Sequence, residues 1–215
     1  MVVFPTDLAL RRYQTEQALA DGFCRTAGHL SISGLLRSLR EAAVEPSAIR
    51  SSVSIVLARK QAVETARGHF DERGALAQLS ASACEVVLEK LENELAQLPL
   101  QAEKILEWLR AYPSEHRLHQ MGLLYEIWRV QGEQEGMLDA VEQHRRVLRL
   151  LRKDASDWPP FLKGVRRIVF RDVRWFSPFE EQVILRLNER LQVRVESALP
   201  ASHGQETPAG PIANG

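Results

Sequence analysis

His116 and His119 stand three apart on one prospective helix face, and His144 could approach them from the next helix. That is a spacing from which a zinc site could be assembled. Such a site needs a further ligand and hydrogen-bond partners that orient the rings. Only Glu115 offers itself, so these are read as ordinary helix-face histidines and no metal is expected. Arg145, Arg149 and Arg152 fall at i, i+4 and i+7, a stripe able to follow a phosphate backbone. The same stripe suits a solvated helix face paired with Glu142, the preferred reading. Trp108, Tyr112, Tyr125 and Trp128 fall at core positions of their helices and are expected to pack rather than stack on bases. Asp172 and the pair Glu180, Glu181 suggest acid/base chemistry. However, Glu180 completes the capping box Ser177-x-x-Glu180, so no catalytic residue is assigned.

The elements that must position these residues follow from apolar periodicity. Val2-Val3-Phe4 reads as a short buried strand, and Pro5-Thr6-Asp7 ends it and opens a helix to about Ala20. A second strand is expected at His29-Leu30-Ser31-Ile32, with a helix behind it from Leu35 to about Ala43. Ile49, Val53, Val56, Leu57 and Val63 fit one helix face, and Cys84, Val87, Leu88, Leu91, Leu95 and Leu98 another. Three more helices follow, carried by Ile105, Trp108, Leu109 and Tyr112; by Leu118, Met121, Leu124, Tyr125 and Trp128; and by Leu138, Val141, Leu148 and Leu151. Pro99, Pro113, Gly132 and Gly136 punctuate this block. The chain then returns to strand and helix: Ile168-Val169-Phe170-Arg171 is apolar and extended, Pro178 suits a first helical turn, and Val183, Ile184, Leu187 and Leu191 line one helix face. Gln192-Val193-Arg194-Val195-Glu196 alternates as a last strand. Strands separated by helices favour a parallel sheet, with residues 1–45 and 160–200 forming an α/β domain and residues 46–159 a helical insertion. Residues 201–215, rich in Gly, Pro and Ala, are expected to be disordered.

Composition narrows the function classes. The 28 basic and 28 acidic side chains cancel, so the chain as a whole exerts no pull on nucleic acid. Locally, residues 141–153 carry five basic residues and one acidic. No apolar run approaches the roughly 20 residues needed to span a bilayer, so no membrane association is expected. The start of the chain lacks the pattern of a signal peptide, so the expected location is cytoplasmic. Cys24 and Cys84 form no C-x-x-C pair, which argues against a disulfide framework or thiolate site.

Two segments together resemble a known family. Val2-Val3-Phe4-Pro5-Thr6-Asp7 with His29-Leu30-Ser31-Ile32-Ser33-Gly34-Leu35-Leu36 resembles the start of AddB-like proteins, helicase/nuclease subunits related to RecB and RecC and members of the PD-(D/E)XK nuclease family. Residues 168–200 are similar to that family's later strand, Ser/Thr-Pro turn, helix and strand ending in Leu-Pro. The matched segments cover about a third of the chain. The resemblance implies a RecA-like, P-loop-NTPase-like parallel sheet with a large all-helical insertion, the first helicase domain of a DNA recombination and repair subunit. In that frame Pro5 and Thr6 lie on a DNA-facing edge. Arg171 and Asp172 occupy the Walker B position, with Arg where the magnesium-associated Asp would be. A cation there opposes metal binding.

The residues point the same way independently of the family. A phosphate loop requires Gly-x-x-x-x-Gly-Lys-Ser/Thr, and no glycine in the chain precedes a lysine. The nuclease motif requires Glu-x-Lys or its Asp equivalent, and none of the five lysines has an acid two positions earlier. The expectation is therefore a module without ATP, metal or other cofactor and without activity of its own. It would guide single-stranded or duplex-end DNA weakly, through Pro5, Thr6, Arg145, Arg149 and Arg152, or scaffold a helicase/nuclease partner in double-strand break repair, the nuclease half lying outside this chain. The competing expectation is a helical interaction or regulatory protein with no DNA role.

Overall fold

The computed structural model describes residues 1–21, 28–49 and 51–196. Cys24 and the stretch 201–215 discussed above lie outside them. The chain begins β1 (Val2–Phe4), α1 (Asp7–Asp21), β2 (His29–Ser31), α2 (Ile32–Ala43). Five helices follow: α3 (Ser52–Arg67), α4 (Ala81–Gln97), α5 (Ala102–Arg110), α6 (Arg117–Gln134) and α7 (Ala140–Arg152). It returns to β3 (Arg167–Arg171), α8 (Pro178–Asn188) and β4 (Gln192–Glu196).

Helix starts are set by local side chains. Ser31, Ser51, Ser80, Asp139 and Ser177 each accept a hydrogen bond from a backbone N–H of the first turn they precede, and His116 does the same through Nδ1. Each such cap is worth about 1 kcal/mol. At Ser177 the capping box is complete: Glu180 reaches back to accept from the Ser177 N–H at 2.7 Å.

The four strands form one parallel sheet in the order β2-β1-β3-β4. Val3 pairs with Leu30 on one side and Phe170 on the other, and Ile168 pairs with Val193. Parallel neighbours need long crossovers; α1 and α8 supply two of them, and the whole run of α2 to α7 supplies the third. The fold is thus helix-dominated α/β with a small parallel sheet.

Alternation along the strands sends side chains to two unlike faces. On one face Val3, Ile168 and Phe170 pack with Ile32, Leu35 and Leu39 of α2, Val147, Leu148 and Leu151 of α7, and Val183 and Leu187 of α8. The other face is thinly covered. Phe4 lies under Tyr13 of α1, with ring centroids 4.9 Å apart, and His29 meets both rings edge-on. Arg171 lies against that cover, and Arg167 and Arg194 stand beyond it; all three are exposed on β3 and β4.

A second core joins α3, α4, α5 and α6 through Ala62, Val63, Ala66, Leu88, Leu95, Leu109, Leu124, Tyr125 and Trp128. Helix α7 serves both cores: Val141 belongs to the helical one, and Val147, Leu148 and Leu151 to the one under the sheet. Two expectations fail here. Val53, Val56 and Leu57 face solvent; α3 instead turns Ile55, Ala58, Ala62 and Ala66 inward, where small side chains allow α4 and α6 to approach closely. Trp108 is also exposed, because Leu106 and Leu109 take the buried positions of α5. It forms a surface ladder with Tyr112, at 5.1 Å, and Tyr112 in turn stacks on His116 at 4.5 Å.

Buried polar groups in the helical core are partnered across elements. Glu92 accepts from Arg59 at 3.0 Å and from the Ala140 N–H at 3.1 Å. Gln120 accepts from the Leu76 N–H at 2.8 Å and donates to the Asp71 carbonyl at 3.1 Å, so it holds the loop between α3 and α4.

Candidate functional site

In open α/β sheets ligands are held outside the carboxyl ends of the strands, at the point where the connections change direction. Here that point lies between β1 and β3. From β1 the chain crosses to β2 on one side, while β3 lies on the other and leads to β4. Pro5 and Thr6 follow β1, and Asp172 follows β3, so the sheet brings four of the sequence-predicted residues, Pro5, Thr6, Arg171 and Asp172, to one edge.

The groups at that edge have definite roles. Thr6 Oγ1 accepts from the Ala9 N–H at 3.1 Å and so opens α1. Beside it the buried Ser31 hydroxyl donates to the Asp7 carboxylate, accepts from the Gly34 N–H at 3.0 Å and lies 3.0 Å from the Ser33 hydroxyl. This cluster satisfies itself and ties the start of α1 to the start of α2. The Arg171 guanidinium sits over the Tyr13 ring, 5.3 Å from its centre, a contact worth about 0.5–1 kcal/mol at an exposed site. Asp172 adopts φ 61°, the left-handed region, and its N–H donates to the Glu196 carbonyl at 2.8 Å. Asp tolerates this conformation better than most residues; the acid turns the chain out of β3.

The turn leads to two residues that sequence reasoning did not single out. Arg174 is exposed, and Trp175 is 77% exposed, an unusual state for a residue whose value normally lies in burial. Their signal was an Arg-Trp pair separated from the end of a strand by two residues. With Arg171 they place two cations and an open indole at the carboxyl edge, the chemistry of a surface that attracts phosphate and stacks on a base.

The remaining candidates are dispersed. On α7, Arg145 donates to Glu103 at 2.9 Å and to the Pro99 carbonyl at 2.8 Å, and Arg149 donates to Glu142. Arg152 is exposed. The stripe is thus largely tied to neighbouring carboxylates. A cavity of about 480 Å³ opens beside it, lined among others by Glu103, Tyr125, Arg129, Met137, Asp139 and Arg145. Its charges pair with one another: Arg129 donates to both Glu103 oxygens at 2.8 and 3.0 Å. Tyr125 donates to Asp139 at 2.6 Å, and burial with the Asp139 charge raises the phenol well above its ordinary value, so it stays protonated.

The three histidines do not converge. His116 caps α6. His119 Nδ1 faces the carbonyls of Tyr112 at 2.8 Å and Arg110 at 3.1 Å. His144 lies 2.6 Å from the Ala96 carbonyl and 3.3 Å from Arg40. Among the described residues no group of three His, Cys, Asp or Glu side chains is arranged to hold a metal ion, and no helix is long and apolar enough to cross a membrane. No protein-family model matches the chain, and no curated protein matches it.

Proposed function

We propose that this chain is a non-catalytic, helicase-like α/β module that guides single-stranded or duplex-end DNA at the carboxyl edge of its sheet and scaffolds a helicase/nuclease partner in DNA repair. The observation that carries this reading is the junction of β1 and β3, where the Pro5-Thr6 turn leaves β1 next to Arg171 and Asp172 at the end of β3, whose outgoing loop carries the exposed Arg174 and Trp175. The parallel order with a helical block between β2 and β3 supports a degenerate RecA-like domain with an inserted subdomain. The absent phosphate-loop sequence and Arg171 at the Walker B position support a role without ATP turnover. Because net charge is zero, attraction to DNA rests on this local patch. Affinity should stay within the non-specific range of about 10⁻⁴ to 10⁻⁶ M at physiological salt. Anisotropy titrations of labelled oligothymidylate and of a blunt duplex at several salt concentrations test it; absence of binding to both at low salt would remove the DNA role.

A second reading has its own observation. Val53, Val56 and Leu57 form an exposed apolar stripe on α3, which fits a helical interaction protein with no DNA role. Failure of the DNA titrations together with capture of a partner lost on replacing these three by Ser would favour it.

A further inference from the structure

We propose that the free edge of β4 is a strand-addition site for an extended segment of another polypeptide in which apolar and acidic side chains alternate. The Gln192 N–H donates to the Arg166 carbonyl at 3.0 Å, and the Glu196 carbonyl accepts from the Asp172 N–H at 2.8 Å. Gln192, Arg194 and Glu196 therefore direct their main-chain groups at β3. Alternate residues of a strand send these groups to opposite sides, so Val193 and Val195 direct theirs away from the sheet. Among the described residues no strand pairs with that side. Two donors and two acceptors in a row are a template for main-chain pairing. The opposite edge offers less, since β2 has three residues and runs straight into α2.

The side chains beside this edge specify the occupant. Val193 and Val195 share the face of Ile168 and Phe170, to which they are paired. Val195 is 49% exposed, and Ile184, Leu191 and Val193 are only partly buried. They form an apolar shelf that α8 does not fully cover. On the opposite face Arg194 stands in register with Val169, between the rows of Arg167 and Arg171; Glu196, 3.2 Å from Arg194, offsets part of that charge. An incoming strand would set apolar side chains on the shelf and acidic ones beside Arg194, with Arg167 and Arg171 one strand further in. Devices that usually blunt an edge, proline or a bulge, do not occur in β4, whose five residues pair with β3 in unbroken register.

A fluorescein-labelled heptapeptide of alternating valine and glutamate, blocked at both ends, is the probe, and anisotropy with the whole chain the readout. Saturable binding is expected. Val195→Pro removes an edge N–H without touching the pairing with β3 and should raise the Kd tenfold or more. N-methylation of the peptide on one edge tests the same main-chain contacts on the unaltered protein and should do likewise, as should lysine in place of glutamate. No saturable binding up to millimolar peptide would overturn the proposal. So would an unchanged Kd with the proline variant or the methylated peptide, and equal binding of the lysine peptide would overturn the acidic occupant.

Discussion

The imidazole of His144 lies face to face with the Phe179 ring, centroids 3.7 Å apart and planes within 2° of parallel. This contact joins α7 to α8, and the ring nitrogens extend the junction further. Carbonyls only accept, so the 2.6 Å contact with Ala96 places the proton on Nδ1; Arg40 only donates, so Nε2 carries the lone pair. His144 thus binds α2, α4, α7 and α8 together as a neutral group, where the two cores meet.

Acid should loosen that junction. Burial is the main cause that pushes His144 down from 6.5 to about 4; the Arg40 charge adds to it and the bond to Ala96 opposes it. Between these values the unfolded chain binds the proton and the folded chain does not. Stability from this group is therefore full above about pH 6.5 and is lost as pH falls toward 4, by up to about 3 kcal/mol. Glu103, held below its ordinary value by Arg129 and Arg145 against the opposing effect of burial, loses its contribution only at lower pH. Denaturant midpoints across pH 7.5 to 4.5 should fall for the parent and fall less steeply for His144→Gln, whose remaining slope includes His29, also lowered by burial, whatever the substitution costs at neutral pH. Equal slopes would contradict this assignment.

Gly74 is required by Gln120. A Cβ at Gly74 would sit 1.8 Å from Gln120 Nε2, and Gln120 is fully buried with both amide atoms in use. Gly74→Ala should cost about 1–3 kcal/mol; at roughly 2–4 °C per kcal/mol for a chain of this size, the melting temperature should drop measurably. Gly68→Ala, where the nearest atom is 3.4 Å away, should leave it nearly unchanged and serves as the control.

Much of this fold was legible in the chain. The strands around Val3, Leu30, Phe170 and Val193 were marked by short apolar runs between capping signals, and the Ser177 box fixed the start of α8. The face of α3 was not. That helix is apolar on two sides, and periodicity cannot tell which side wins when the true one is built of Ala58, Ala62 and Ala66. The cost of burying Arg59, which packs on the same side, is offset by a partner 33 residues away, Glu92, which no local pattern reports. Trp108 misled for the same reason: Leu106 and Leu109 compete for the core and fit it better. At the candidate site Pro5, Thr6, Arg171 and Asp172 were singled out and do meet at one edge. Arg174 and Trp175 carry no such mark in the sequence, because exposure of an indole is a tertiary property.

Asp172 should matter as a turn, not as an acid. Its left-handed backbone is free of strain for glycine and costs about 1–2 kcal/mol for residues with ordinary side chains. Asp172→Gly should keep or raise stability, whereas Asp172→Val should lower it by about that amount. Neither loss of the carboxylate nor the glycine should weaken DNA binding, since the carboxylate repels phosphate. Weakened binding by a stably folded Asp172→Gly chain would show that the acid contributes.

The salt dependence of oligothymidylate binding to the parent chain and to two triple variants tests the central claim most directly. If the carboxyl edge holds DNA, replacing Arg171, Arg174 and Trp175 by Ala should weaken binding tenfold or more. It should also flatten the slope of log K against log salt by roughly 1.4, about 0.7 for each of two phosphate contacts on a single strand. Replacing Arg145, Arg149 and Arg152 should change the slope far less, because Arg145 and Arg149 already pair with Glu103 and Glu142. An edge variant that binds like the parent, or a larger loss in the α7 variant, would contradict the account.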